Sequence, residues 1–195
     1  MGHSRAEKQQ SHERILDGAA RMIRKAGPNG VSIADLMKSA NLTHGGFYGH
    51  FRSREALIDA AIERAIADGS DSFAALPTKD DPGSVASIAN RYLSSRHRDD
   101  IAGGCAIAAL ATDVGRMDDR EARELLVNHL EARFDRMAAA MGGGTVAQDA
   151  AVTAWCTMIG AMVLSRLFRG TKRGDQILRQ AQKSVLDLAA SVSES

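Results

Sequence analysis

Cysteine, proline and aromatic residues are all scarce in this chain. Its 195 residues hold two Cys, three Pro, one Trp, two Tyr and five Phe. The cysteines, Cys105 and Cys156, stand far apart and in no metal-ligand spacing, which argues against a disulfide framework or a zinc site. No secretion signal is visible, so the expectation is a cytoplasmic protein with free thiols. Few prolines, few aromatics and abundant Ala, Leu, Ile, Met, Arg and Glu favour an all-α fold. The longest uncharged apolar stretch, 150–165, is short for a bilayer span and carries Thr and Ser, so it reads as a buried helix with no membrane partner. A glycine-rich phosphate loop, a nucleophile elbow and a cluster of metal ligands are missing as well. The sequence therefore offers no catalytic residues, no metal site and no cofactor, and an enzyme would need a constellation that is not there.

Overall charge is also lacking: the net is +1. Its distribution is uneven. Residues 1–54 hold nine Lys/Arg against four Asp/Glu, and residues 55–195 hold sixteen against twenty. A basic first quarter on an acidic remainder fits a nucleic-acid-binding head on a larger body.

The most informative stretch is 31–54, VSIADLMKSANLTHGGFYGHFRSR. Ser32 followed by Asp35 is a capping-box pattern, and Ile33, Leu36 and Met37 continue as an apolar stripe. Asn41 is a turn residue. Thr43 is placed to cap a short second helix over 44–50, and Ser53 a third helix, with Glu55 near its positive end. Helix, tight turn and short helix form the helix-turn-helix arrangement, whose second helix enters the DNA major groove. At 100° per residue, Phe47 and Phe51 share one face of that short helix. Gly45 and Gly49 lie opposite with Tyr48 beside them, and His44 and His50 flank. Each glycine costs a helix roughly 0.8–1 kcal/mol relative to Ala, so a functional gain is expected on that face: close approach of the backbone to a groove or phosphate.

LTHGGFYGHFRSREAL resembles the recognition-helix signature of the tetracycline-repressor (TetR/AcrR) family, with Thr43, Phe47, Tyr48, His50, Phe51 and Arg54 in register. The likeness covers about residues 15–62, and GCAIAALATDVGR resembles part of some members' ligand domains. The resemblance implies an all-α protein of about nine helices: a three-helix head over 1–54, including a basic arm at 1–10, and a ligand-sensing and dimerisation bundle over 55–195. It implies that Tyr48 and His44 touch base edges or thymine methyls, that Gly45 permits close approach, and that Thr43, His50 and Arg54 hold phosphates. It further implies a homodimer on double-stranded DNA, reading a palindrome with recognition helices about 34–36 Å apart or a near multiple. A small-molecule effector would release that DNA, and repression rather than activation rests on the likeness alone. Gly46 and Gly49 replace bulkier residues common in relatives, so an operator cannot be copied across.

Along the rest of the chain, a first helix is expected over 11–26, with Ile15, Leu16, Ala19, Met22, Ile23 and Ala26 inward, stopped by Gly27-Pro28-Asn29-Gly30. A long helix should follow from Arg54 to Phe73, then a loop over 78–83 and a helix opened by Asp81-Pro82. Asp118 or Asp119 should open a helix burying Leu125, Leu126, Leu130, Phe134 and Met137. The last two helices read as a dimer interface. The helix over 145–168 is apolar nearly all round, and the last, opened by Asp175, carries Leu178, Ala181, Val185, Leu188 and Val192 at coiled-coil-like spacing. Candidate effector-pocket residues are Phe73, Tyr92, Cys105, His129, Phe134, Trp155 and Met158, although aromatics and Met at helical spacing are more often plain core. Cys105, following two glycines near a helix start, reads either as an inert buried thiol or as a redox sensor. Two rival functions stay open: a DNA-binding activator or architectural protein without an effector, and a helical enzyme.

Overall fold

The computed structural model describes residues 5–72 and 84–193, and among them the secondary structure is helical throughout. Three α-helices build the head: α1 (Arg5–Ala26), α2 (Ile33–Ser39) and α3 (Arg54–Ser72). A 3-10 segment, His44–Gly49, lies between α2 and α3. The body holds α4 (Val85–Tyr92), α5 (Ser95–Asp99), α6 (Ala106–Arg116), α7 (Arg120–Ala140), α8 (Gly144–Leu167) and α9 (Lys172–Ser193).

The local stops and starts follow from capping. The Ser32 hydroxyl accepts from the Asp35 amide at 3.2 Å, and Ser53 from the Ala56 amide at 3.1 Å. Asn41 sits at φ 58°, turning the chain out of α2 in the left-handed region that Asn tolerates. Asp119 caps α7, accepting from the Ala122 amide at 3.0 Å. Ile15, Ala19, Ile23, Leu36, Met37, Phe47, Phe51, Leu57 and Ile58 fill the head core. Phe47 and Phe51 are 1% and 6% exposed. Each such buried side chain contributes about 1.5–3 kcal/mol.

Several expectations change. Residues 5–10 are no arm: α1 begins at Arg5, because Glu, Lys and Gln propagate a helix without needing a buried face. Ala26 is exposed at the end of α1. Phe73, the 78–83 loop and the Asp81-Pro82 start lie outside the described residues. The helix expected from Asp81 begins at Val85, where the Ser84 hydroxyl accepts from the Ser87 amide at 3.1 Å. The short helix α5 was not foreseen. Leu126 and Met137 of α7 are buried, with Leu125, Leu130 and Phe134 partly so.

The last helix starts at Lys172, not Asp175. Its seam is spent inside the chain: Leu178, Ala181 and Val185 are buried, and Leu188 and Val192 pack at the core's edge. The unpartnered apolar face belongs to α8, where Val152, Val163, Leu164, Leu167 and Phe168 stand out, Leu167 being 77% exposed. The opposite side of α8, through Ala147, Ala151, Ala154, Trp155, Met158 and Met162, lies in the core. By length and composition α8 is apolar enough to cross a membrane, but that buried side explains its apolar content as a core helix.

Head and body meet through α1 and α3. Arg24, 3% exposed, holds the junction. Its guanidinium donates to the Ala65 carbonyl at 2.9 Å and to Asp68 at 3.1 Å on α3, and its Nε donates to the Ala102 carbonyl of the body at 2.5 Å. Arg64 of α3 ties back to Asp17 at 2.7 Å and to Glu13 on α1. α3 packs on α1 and also on α6 and α7, so head and body are in direct contact through it.

Candidate DNA-reading surface

The 3-10 segment is anchored from behind. Phe47 stacks with Phe51 at 5.8 Å between ring centroids, and the His12 ring of α1 stacks on Phe51 at 4.7 Å. His12 was not singled out by sequence reasoning. Its signal was register, since it lies three residues before Ile15 on the inward side of α1.

The outer side is bare. Tyr48 is 70% exposed, with its ring edge-on to Phe47 at 5.2 Å. A Cβ added at Gly45 or Gly49 would meet nothing within 4 Å, and neither glycine has positive φ. The fold therefore does not need glycine at these two positions. The segment winds as a 3-10 helix rather than the α-helix expected over 44–50. Glycine's poor α-propensity and the shortness of the segment suit the tighter winding. Thr43 occupies the N-cap, in extended backbone, but its hydroxyl makes no cap hydrogen bond, contrary to expectation. Thr43, His44 and Gly45 are exposed on the same rim as Tyr48.

His50 and Arg54 are half-buried. Burial first, then the charges of His12 and Lys8, hold the His50 pKa below its ordinary value, so its ring is neutral at pH 7. Its Nδ1 is buried without a hydrogen-bond partner among the described residues. Arg54 donates to the Pro28 carbonyl at 2.7 Å, tying the start of α3 to the turn after α1. Extension of α1 brings Lys8 near His50, and Lys38 and Arg52 are further exposed cations beside the segment in sequence.

Residues 15–61 match the family model described as bacterial regulatory proteins, tetR family. An uncharacterized HTH-type transcriptional regulator of Mycobacterium tuberculosis is 26% identical over 185 residues, which span 89% of this chain and 93% of the relative. An uncharacterized HTH-type regulator of Bacillus subtilis is 38% identical over 55 residues, 28% of each chain. By these matches the chain is similar to TetR-family regulators, and its head carries the helix-turn-helix of that family. It is a transcriptional regulator with a DNA-binding helix-turn-helix, not an enzyme. The whole fold agrees. A TetR transcriptional regulator from Chloroflexus aurantiacus superposes with a TM-score of 0.77 at 21% identity, covering 97% of this chain and 98% of that one. A TetR-family regulator from Cytophaga hutchinsonii gives 0.77 at 18% identity, covering 98% of each.

In the body, four of the seven candidate pocket residues gather. Tyr92 and Trp155 meet edge-to-face at 5.2 Å, and Trp155 Nε1 donates to the Arg133 carbonyl at 3.0 Å. The Arg133 guanidinium lies 5.1 Å from the Trp155 ring centroid, and its Nε donates to His129 Nε2 at 2.9 Å. Cys105, 1% exposed, occupies the N-cap position of α6 without a side-chain cap bond, and its amide donates to His97 Nε2 at 3.0 Å. His97 Nδ1 in turn donates to the Tyr92 carbonyl at 2.7 Å. Burial drives the His97 pKa down to about 4, and this neutral tautomer satisfies both bonds. Phe134 is only partly buried, Met158 is fully buried core, and Phe73 falls outside the described residues. Arg133, Arg166 and His97 join this corner unannounced by the sequence. A lone Arg or His in a helical pattern reads as a solvated position.

Proposed function

We propose that this regulator represses transcription by holding a palindromic operator as a homodimer, and that a small molecule bound in the body releases the DNA. The observation that carries the reading is the outer face of the 3-10 segment. Gly45 and Gly49 have open space where a side chain would stand, and Tyr48 projects between them and the rim. Local stability is given up there with no gain inside the fold, so the gain lies with an external partner. Tyr48 and His44 read base edges or thymine methyls, and Gly45 lets the backbone approach. Thr43, through a hydroxyl not used as a cap, and His50, through a ring N–H, hold phosphates. Arg54 sets the start of α3 through Pro28 and offers its remaining N–H groups to a phosphate. Phosphate contacts give affinity and register, and base contacts give sequence choice.

One short segment spans few base pairs, so two heads are needed. The exposed apolar face of α8, Val152, Val163, Leu164, Leu167 and Phe168, is the surface that pairing would cover. The working division is a DNA-binding unit over 1–54 and a sensing and dimerisation unit over 55–195, joined by α3, in a cytoplasmic protein. The effector acts by preferring the state in which the heads cannot both reach DNA; equal affinity for both states would shift nothing. Arg24 supplies a route, since one guanidinium bonds α3 and the body's Ala102 together.

Fluorescence anisotropy on a labelled duplex from upstream of the chain's own gene, with an unrelated duplex as control and salt varied, tests this. Expected is tight, salt-dependent binding that prefers the upstream duplex, at two chains per duplex. Arg54→Ala should weaken binding to all sequences and reduce the salt slope by about one phosphate's worth. An unchanged slope would remove Arg54 from the phosphate contacts. No binding to either duplex at low salt would sink the assignment of the reading face.

A further inference from the structure

Where α3 passes from the head to the body, a cavity of about 250 Å³ opens on the seam between them. Its charged lining is Arg54, Glu55 and Asp59 on α3, Asp113 and Arg116 on α6, and Asp119 at the start of α7. The turn after α1 adds only Pro28 and Asn29, which carry no charge. Both arginines are otherwise placed. Arg54 donates to the Pro28 carbonyl at 2.7 Å, and Arg116 is exposed. Asp113 lies against the turn, since a Cβ at Gly27 would stand 3.0 Å from its Oδ2.

Asp59 is half-buried and meets its own kind. Its carboxyl hydrogen-bonds that of Asp119, and Glu121 of α7 and Glu55 one turn back on α3 add charge of the same sign. Two carboxyl groups can bond only while one of them keeps a proton. Asp119 Oδ1 is the cap of α7, accepting from the Ala122 amide at 3.0 Å, and the start of a helix favours a negative charge. The shared proton therefore belongs to Asp59. Burial first, then the bond to Asp119 and the neighbouring carboxylates, raise the Asp59 pKa from 3.8 to about 6.

We propose that Asp59 and Asp119 form a proton-operated latch between the helix that carries the head and the body. With the proton in place, the latch holds α3 on the start of α7. Without it, two carboxylates face each other across the seam beside Glu55 and Glu121, and α3 is pushed off. The cavity next to the pair gives protons a way in and α3 room to move. The consequence for DNA rests on the reading of two heads on one palindrome. Two heads reach both half-sites only at a set separation, so an open seam lowers the fraction of dimers able to bind. Acidification toward pH 6 closes the latch and tightens DNA binding.

The folded chain holds this proton more tightly than the unfolded chain does. The stability contributed by the pair is therefore complete below pH 3.8 and is lost as pH rises through 6. His97 and His129, whose pKa values burial lowers to about 4, respond in the opposite sense, so the pair is read as a difference between variants. Asp59→Asn removes one charge and keeps a donor for Asp119. Asp119→Asn removes the other and keeps a good helix cap. Thermal melts of the full chain are followed at pH 5, 6 and 7.5. Expected is that both variants melt several degrees above the unaltered protein at pH 7.5, that the gap narrows toward pH 5, and that the double variant gains nothing beyond either single one. A gap equal at all three pH values, no gap, or additive gains would each overturn the latch.

Anisotropy on the preferred duplex tests the consequence. Asp59→Asn should bind about threefold tighter than the unaltered protein at pH 7.5, or better, and equally at pH 5. A ratio that does not change with pH, or weaker binding by the variant at pH 7.5, would overturn the control of DNA binding. If no duplex binds at either pH, the reading of the head fails, and the melting profiles still judge the latch by themselves.

Discussion

The head and the body depart from ordinary protein construction in opposite places. The head's interior is conventional, with aliphatic side chains and stacked Phe47 and Phe51, while its oddities face outward: two glycines beside empty space and a tyrosine 70% exposed. The body turns its oddities inward, where Arg133, Arg166, His97 and Ser165 sit among alanines, methionines and Trp155. A surface with no internal reason for its residues is shaped for a large partner that lies against it. The body's interior instead spends polar groups on internal bonds, such as His97 to Tyr92 and to Cys105. On the proposed reading the head presents a face to DNA, the body answers to the effector, and Arg24 spans them.

The sharpest way to break that division is to damage the head's core alone. Phe47→Ala removes a ring 1% exposed that bridges Phe51 and the underside of Tyr48. A loss of about 3–5 kcal/mol of stability is expected, with DNA binding abolished. Thermal melts followed by far-ultraviolet circular dichroism and by Trp155 emission check it. Helix signal should be lost early while the emission of the body holds near its native value. If both signals fall together, α3 welds head and body into one cooperative unit and the comparison describes surfaces, not separately stable parts.

Much of the head was legible because its signals are local. Ser32, Asn41 and Ser53 mark starts and stops through hydrogen bonds to residues three positions away or through one backbone conformation, and Phe47 and Phe51 are inward by spacing alone. What spacing does not carry was missed. The polar run 5–10 has no periodicity because no face of it is buried, yet it extends α1 and brings Lys8 near His50. The 3,4,3,4 pattern of α9 says that a seam is covered but not by what, and it faces the chain's own core while α8 carries the open face. The 3-10 winding of 44–49 was within reach of its glycines and shortness, but the face pattern of 44–50 was drawn at the α-helical 100° per residue. Arg24, Arg133 and Arg166 were invisible, since a single cation in a helical pattern reads as solvated until the partner helices are placed.

The body's inward polarity has a pH signature. His97 is held neutral, with its pKa lowered from 6.5 to about 4. The unfolded chain takes a proton at His97 below about pH 6.5 and the folded chain only near 4. Between those values the unfolded state binds more protons, so stability falls as pH falls. Full transfer through that window costs about 3 kcal/mol, and His129, also held near 4, adds to the same slope. Urea midpoints at pH 7.5, 6 and 5 should therefore drop steadily, and more gently in His97→Gln. A variant as steep as the unaltered protein would show that other groups set the acid limit.

The smallest expected effect tests the head's outward face most directly. Gly45→Ala places a methyl where nothing stands within 4 Å and where the backbone is not left-handed, so folding should not suffer. Removing glycine's freedom from the unfolded chain should raise stability by about 0.4–1 kcal/mol. The same methyl points toward the space that DNA would occupy, so affinity for the preferred duplex should fall although the protein is more stable. Gly115→Ala, an exposed position near the end of α6 that is equally open, is the matched control and should leave DNA affinity alone. Stability and affinity moving in opposite directions at Gly45 but not at Gly115 would mean that the glycine is kept for the partner, at a cost to the fold. Unchanged affinity at Gly45 would mean that the backbone does not approach DNA there, and Tyr48 and His44 would be left to carry the reading.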